Sequence, residues 1–149
     1  MRNYKNIDAW KLADDLTVAL YELTRRFPKE ETYGMTSQLR RAAVSVPTNI
    51  AEGSARESQK DYLHFLYIAR GSLTEMQYLL HLAGRLRYIT EEEAAHFANE
   101  TKRAFGCLHG LVRSVEKEAG KIARTIATVT SMVVICAVKF SLGSGSTFG

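Results

Sequence analysis

The chain has 149 residues, of which 46% are hydrophobic and 24% are charged. This is the size and composition of one folded domain. It contains two prolines and two cysteines, which argues against a proline-punctuated all-β fold, a disordered chain and a disulfide-stapled scaffold. Residues 1–15 hold no apolar run, so we expect no signal peptide and a reducing, cytoplasmic setting.

The net charge of +4 is unevenly distributed along the chain. Residues 101–149 carry seven basic and two acidic groups, a balance of +5. We therefore expect an acidic partner for this part of the chain.

Apolar residues recur at helical spacing in four segments, which predicts four amphipathic helices. The first is expected from about Ile7 to Phe27, with Pro28 ending it. The second is expected to begin at a cap formed by Thr36 or Ser37. Pro47 lies inside the second helix and should kink or divide it. Gly53 is the predicted glycine just past its C-terminal end.

The third helix is expected from about Gln59 to Leu86, with Ser58 as its cap and Asp61 three residues on. It carries two apolar faces. The core face comprises Tyr62, Leu66, Ala69, Leu73, Met76, Leu80 and Ala83. The second face comprises Phe65, Ile68, Leu79, Leu82 and Leu86. A bundle helix needs one buried stripe, so the second face predicts either a self-association surface, the interpretation we favour, or a deeply buried helix in a monomer.

Thr90 and Glu93 form a capping box for the fourth helix, whose apolar periodicity runs on to Ile126. Short connections between four helices predict an all-α, antiparallel up-down-up-down bundle over residues 1–124. Residues 125–149 form an atypical tail, which opens with the fourteen uncharged residues TIATVTSMVVICAV. That run is shorter than the roughly 20 residues of a membrane-spanning helix, and we expect no membrane association. The tail extends the fourth helix, forms a strand, stays loose, or lies outside the evolved domain; the sequence leaves these open.

Catalytic and metal-binding patterns are weak. Glu93-x-x-His96 and Asp61-x-x-His64 resemble half-sites of a di-metal bundle, but the starts of antiparallel neighbours lie roughly 40 Å apart. No nucleophile motif or phosphate-binding glycine loop is present. We expect no metal, no cofactor and no enzymatic activity.

The strongest signal is a basic stripe on the fourth helix. Its six members project within about a 100° sector at 3.6 residues per turn. They are Lys102, Arg103, Arg113, Lys117, Lys121 and Arg124. A solvated helix face usually mixes both charge signs, so this one-sided stripe predicts contacts with a polyanion. Tyr67, beside Arg70 on the third helix, either stacks a base or packs along the arginine stem.

Residues 36–53, TSQLRRAAVSVPTNIAEG, followed by SARESQKDYLHFLYIARGSLTEMQYLLHLA at 54–83, closely resemble the four-helix-bundle family of 23S ribosomal RNA intervening-sequence proteins. The resemblance covers about Asn3 to Arg124. The residues that match the family motif are Gln38, Arg40, Arg41, Asn49, Glu52 and Gly53. For Asn49, or its neighbour Thr48, a structural role is available, because either could satisfy the carbonyl that Pro47 leaves free.

The resemblance implies a ring-shaped homo-oligomer, with a pentamer in characterised relatives. It also implies kinship with the accessory variability proteins of diversity-generating retroelements, which bind nucleic acid and a reverse transcriptase. We therefore expect a non-enzymatic nucleic-acid-binding accessory protein, with structured RNA preferred over DNA and a reverse transcriptase as a possible partner. The alternative is an assembly module that docks an acidic protein through its basic face.

Overall fold

The computed structural model describes residues 2–143, with side chains described for residues 2–132. Its four helices are α1 (Asp8–Leu23), α2 (Met35–Ser54), α3 (Gln59–Arg85) and α4 (Glu91–Gly143). Short 3₁₀ turns occupy Tyr4–Asn6, Thr24–Arg26 and Lys29–Glu31, and the described residues contain no strand. The predicted all-α four-helix bundle is confirmed.

Contacts between helices fix an antiparallel arrangement. The α1 residues Thr17 and Tyr21 face Ala43 and Arg40 of α2, so the sequence order reverses between the two helices. The start of α3 lies against the later part of α4, and the end of α1 lies against the start of α4. Each helix therefore packs beside its sequence neighbours, α1 and α4 close the square, and α2 and α4 lie diagonally opposite.

The core is built from one stripe of each helix. All seven residues of the predicted α3 core face are buried. On α4, the buried stripe comprises Phe97, Thr101, Ala104, Leu108, Val112 and Val115. The helix therefore turns its apolar side inward as its 3.6-residue period requires.

Three predicted boundaries are wrong by a few residues. Helix α1 ends at Leu23, and a 3₁₀ turn carries the chain to Phe27. Helix α2 begins at Met35, where the Glu31 carboxylate accepts a bond from the Met35 amide at 2.8 Å. A side chain from the preceding turn therefore caps α2, and the predicted cap by Thr36 or Ser37 does not form. Gly53 lies within the last turn of α2 and has no positive φ.

Pro47 does not divide α2, and the carbonyl that its missing amide leaves free has another donor nearby. A proline lacks the amide that would bond the carbonyl four residues earlier, which here belongs to Ala43. The Thr17 hydroxyl of α1 lies 2.9 Å from that oxygen and 2.7 Å from the Ala13 carbonyl, so its one proton can be donated to either. The expected role of Asn49 is wrong, because its amide donates to the Ser45 carbonyl at 2.7 Å.

Replacing this hydroxyl is expected to destabilise the bundle. Thr17→Val keeps the side-chain shape and leaves the Ala43 carbonyl without a donor, which should cost about 1–2 kcal/mol of unfolding free energy. In a Pro47→Ala background the restored backbone amide supplies the donor, so the same change should cost much less. Urea unfolding of the four proteins measures this coupling, and an equal loss in both backgrounds would contradict it.

Both predicted caps at the α3 and α4 starts are confirmed. The Ser58 hydroxyl accepts the Asp61 amide at 3.0 Å. Thr90 Oγ1 accepts the Glu93 amide at 3.1 Å, and the Glu93 carboxylate accepts the Thr90 amide at 2.9 Å. The Thr90 amide and the neighbouring Arg26 guanidinium lower the pKa of Glu93, which favours the ionised carboxylate in the capping box.

Helix α4 continues unbroken across residue 124 as far as Gly143. The tail from residue 125 to Gly143 is therefore an extension of the fourth helix. Bundle contacts reach Glu118, and every side chain from Lys121 to Met132 is exposed. The side chain of Cys136 and residues 144–149 lie outside the described part of the chain.

Candidate nucleic-acid interface

The basic stripe lies on the outer surface of α4. All six of its side chains are exposed, and they cover positions 102 to 124 along one continuous helix. At 1.5 Å per residue this span is roughly 33 Å long. A rigid helix thus holds the six cations in a fixed row on one side of the bundle.

Most of these cations lack an acidic neighbour. Arg103 Nη1 lies 2.9 Å from both carboxylate oxygens of Glu100, one turn earlier. Within the described residues, no carboxylate comes within 4 Å of the other five. The Glu100–Arg103 pair is a local (i, i+3) contact of the kind that sequence spacing signals, and the predicted stripe did not take it into account.

Two further glutamates of α4, Glu116 and Glu118, are bonded to other parts of the bundle. The Tyr67 hydroxyl of α3 donates to Glu116 at 2.7 Å, and the Gln59 amide donates to Glu118 at 3.1 Å. Arg2 approaches Glu118 to 3.9 Å. The bond to Glu116 raises the pKa of Tyr67. Both carboxylates are therefore bonded toward α3, outside the sector that carries the six cations.

The stripe presents the side-chain donors that phosphate oxygens accept. Arginine forks bond phosphate oxygens in pairs, and lysines act as mobile point charges. Gly106 and Gly110 lie between its two halves, with no neighbouring atom within 4 Å of where a Cβ would stand. A phosphate backbone could thus approach the helix closely there.

Tyr67 packs against an arginine of its own helix. Its hydroxyl is bonded to Glu116, and the Arg70 guanidinium lies 4.9 Å from its ring centroid. This is the second of the two interpretations, in which the tyrosine packs against an arginine.

The second apolar face of α3 is only partly exposed. Ile68 and Leu86 are 40% and 47% exposed, whereas Phe65 and Leu82 are half-buried. The Arg56 guanidinium covers the Phe65 ring at 4.7 Å. Leu79 is buried in the core, and its assignment to an oligomer interface is wrong because it packs inside the bundle.

The described residues contain neither a cluster of metal ligands nor a helix that could cross a membrane. No three His, Cys, Asp or Glu side chains among them come together as a metal site requires. No helix in that part of the chain combines the length and apolar character needed to cross a membrane.

Comparison with known proteins identifies a family and similar solved structures. Residues 5–110 match the model of a family described as 23S rRNA-intervening sequence protein. A crystal structure from Bacteroides thetaiotaomicron, a protein of unknown function from the S23 ribosomal protein family, is 25% identical with a TM-score of 0.65. The match covers 70% of this chain and 97% of that one. No curated protein matches the sequence.

Proposed function

Since the chain belongs to the 23S rRNA-intervening sequence protein family, we propose that it is a non-enzymatic RNA-binding accessory protein. The basic stripe of α4 binds the phosphates of structured RNA. The family description ties these proteins to ribosomal RNA, which favours RNA over DNA as the ligand. The proposal includes no cofactor and no catalytic residue.

One observation carries the proposal. Five exposed cations of α4 have no carboxylate within reach among the described residues, while Glu116 and Glu118 are bonded to the flanks of the helix. A face arranged only for solvation would not need its acids held aside. A row roughly 33 Å long can contact several successive phosphates of a nucleic-acid strand.

Self-association would strengthen such binding. We propose that the exposed part of the second α3 face, centred on Ile68 and Leu86, packs against another copy of the chain. Each copy then adds one basic stripe, so modest single-site affinity is multiplied by multivalency. Sedimentation of the wild type and of Ile68→Glu tests this step, and a wild type that sediments as a monomer would contradict it.

Salt dependence tests the mode of RNA binding. With about four to six phosphate contacts, log K should fall with log salt with a slope of roughly −4 to −5. Fluorescence anisotropy of a labelled RNA hairpin at several salt concentrations measures this slope. We expect binding that tolerates changes in base sequence, since phosphate contacts carry no sequence information.

Two results would contradict the proposal. Absence of hairpin binding at low salt would make the stripe a solvated face and redirect attention to an acidic protein partner. Tight binding with little salt dependence would place the RNA on a surface other than the stripe.

A further inference from the structure

A shallow groove of about 600 Å³ lies along the outer side of α2, away from the basic stripe. Its lining includes Tyr21 of α1, Tyr33 of the turn before α2, and Arg40 and Arg41 of α2. Because α2 and α4 are diagonally opposite in the bundle, an RNA segment lying along the α4 stripe would not also fill this groove.

The lining has the chemistry of a nucleotide site. Its remaining members are Thr32, Thr36, Ser37, Val44, Ser45, Thr48 and Asn49, and no acid is present among the described lining residues. Two other surface grooves carry acids: Glu91 lines one between α3 and α4, and Asp14 and Glu52 line the one between α1 and α2. A smaller groove lined by Lys60, Leu63, His64, Tyr67 and Ala119 also has no acid, but it contains no arginine. Two arginines with hydroxyl and amide groups and no carboxylate favour an anion.

Arg40 is fixed in place by the fold. Its Nε donates to the Thr24 hydroxyl at 2.8 Å, and its guanidinium lies 4.8 Å from the Tyr21 ring centroid. Arg41 is exposed, and no described carboxylate lies within 4 Å of it. One arginine therefore gives the groove a permanent positive charge, and the other is free to close on a phosphate.

Tyr33 supplies the aromatic surface. Its side chain is 95% exposed, the highest value among the large hydrophobic residues described. The short turn before α2 holds it at the rim of the groove, where it adds nothing to the core. An exposed aromatic ring that shares a groove with cationic side chains is the arrangement on which single-stranded bases commonly stack.

We propose that this groove binds an unpaired nucleotide of a single-stranded RNA segment, with the base on Tyr33 and the phosphate on Arg41. The inference takes its ligand class from the proposed function and adds a second site of a different kind. Stacking with one phosphate contact gives weak, sequence-tolerant binding to single strands, whereas the α4 stripe suits a duplex.

A labelled five-nucleotide oligoadenylate, measured by fluorescence anisotropy, tests the groove. Tyr33→Ala and Arg41→Ala should each weaken its binding on the order of ten-fold, and Tyr33→Phe should bind as the wild type because it keeps the ring. The matched controls are Tyr78→Ala, which removes another exposed tyrosine, and Arg113→Ala on the stripe. Tyr78→Ala should leave oligoadenylate binding unchanged, and Arg113→Ala should weaken it less than Arg41→Ala does; thermal unfolding checks that each variant is folded.

The outcomes separate this inference from the proposed function. Hairpin binding weakened by Arg113→Ala, with oligoadenylate binding weakened by Arg41→Ala, supports both sites. Oligoadenylate binding that is absent in the wild type, or that is weakened only by Arg113→Ala, overturns the groove and leaves the stripe intact. If the hairpin does not bind while oligoadenylate binding still depends on Tyr33, the stripe is overturned and the groove stands.

Discussion

Reversing two charges at the centre of the stripe, Lys117→Glu with Lys121→Glu, is expected to weaken hairpin binding on the order of 10²-fold near 0.1 M salt. Each lost phosphate contact removes close to one unit from the salt slope, so the slope should become shallower by about 2. Both side chains are exposed and have no described carboxylate partner. The fold should therefore tolerate the change, and circular dichroism can verify this.

A control variant with the same net charge tests whether the stripe, rather than the overall charge of the protein, binds the RNA. Lys5→Glu with Lys29→Glu also takes the chain from +4 to 0 (4 − 2 − 2), and both lysines are exposed away from α4. This variant should retain most of the affinity and nearly the wild-type slope. If the two double variants lose affinity equally, the overall charge of the protein governs binding and the stripe has no special role.

Adding a side chain at Gly53 is expected to destabilise the bundle more than removing the Thr17 hydroxyl does. A Cβ at this position would stand 2.8 Å from Phe65 Cβ and 2.9 Å from the Tyr62 ring, both on α3. Phe65 Cβ is tied to the α3 backbone, so the two helices must move apart. Gly53→Val should lower the unfolding free energy by about 3 kcal/mol and the Tm by roughly 6–12 °C.

Gly106 offers the matched control for this substitution. It also lies inside a helix, but no atom stands within 4 Å of its Cβ position. Gly106→Val should leave stability unchanged or raise it by a few tenths of a kcal/mol, because valine is a better helix former than glycine. Differential scanning calorimetry of both variants measures the contrast. A similar Tm for Gly53→Val and the wild type would show that α2 and α3 are not packed closely at Gly53.

Sequence periodicity was sufficient to predict the elements and core of the bundle. The α3 core face and the caps at Ser58 and Thr90 depend on neighbours three or four residues away, which a sequence displays. The bond from Thr17 to the Ala43 carbonyl joins two helices and has no local signature. The boundary errors have the same cause, since the Glu31 side chain that caps α2 comes from the preceding turn.

The same distinction between local neighbours and contacts between helices applies to the candidate sites. The stripe could be read from helical spacing, because its six members share one helix. The positions of Glu116 and Glu118 could not, since they depend on Tyr67 and Gln59 across the α3–α4 contact. The groove joins residues from α1, a turn and α2, so adjacent Arg40 and Arg41 were the only sequence sign of it. Leu79 was misassigned because a helical wheel does not show how far a neighbouring helix covers a face.

The pairing of each helix with its sequence neighbour bears on how fast the chain folds. Most tertiary contacts join segments separated by one short connection, and helical bundles with such local contacts fold in microseconds to milliseconds. The α1–α4 edge is different, because Arg26 meets Glu93 only after the intervening helices are placed. We expect this edge to form after the folding transition state. Weakening it should therefore speed unfolding and leave the folding rate nearly unchanged.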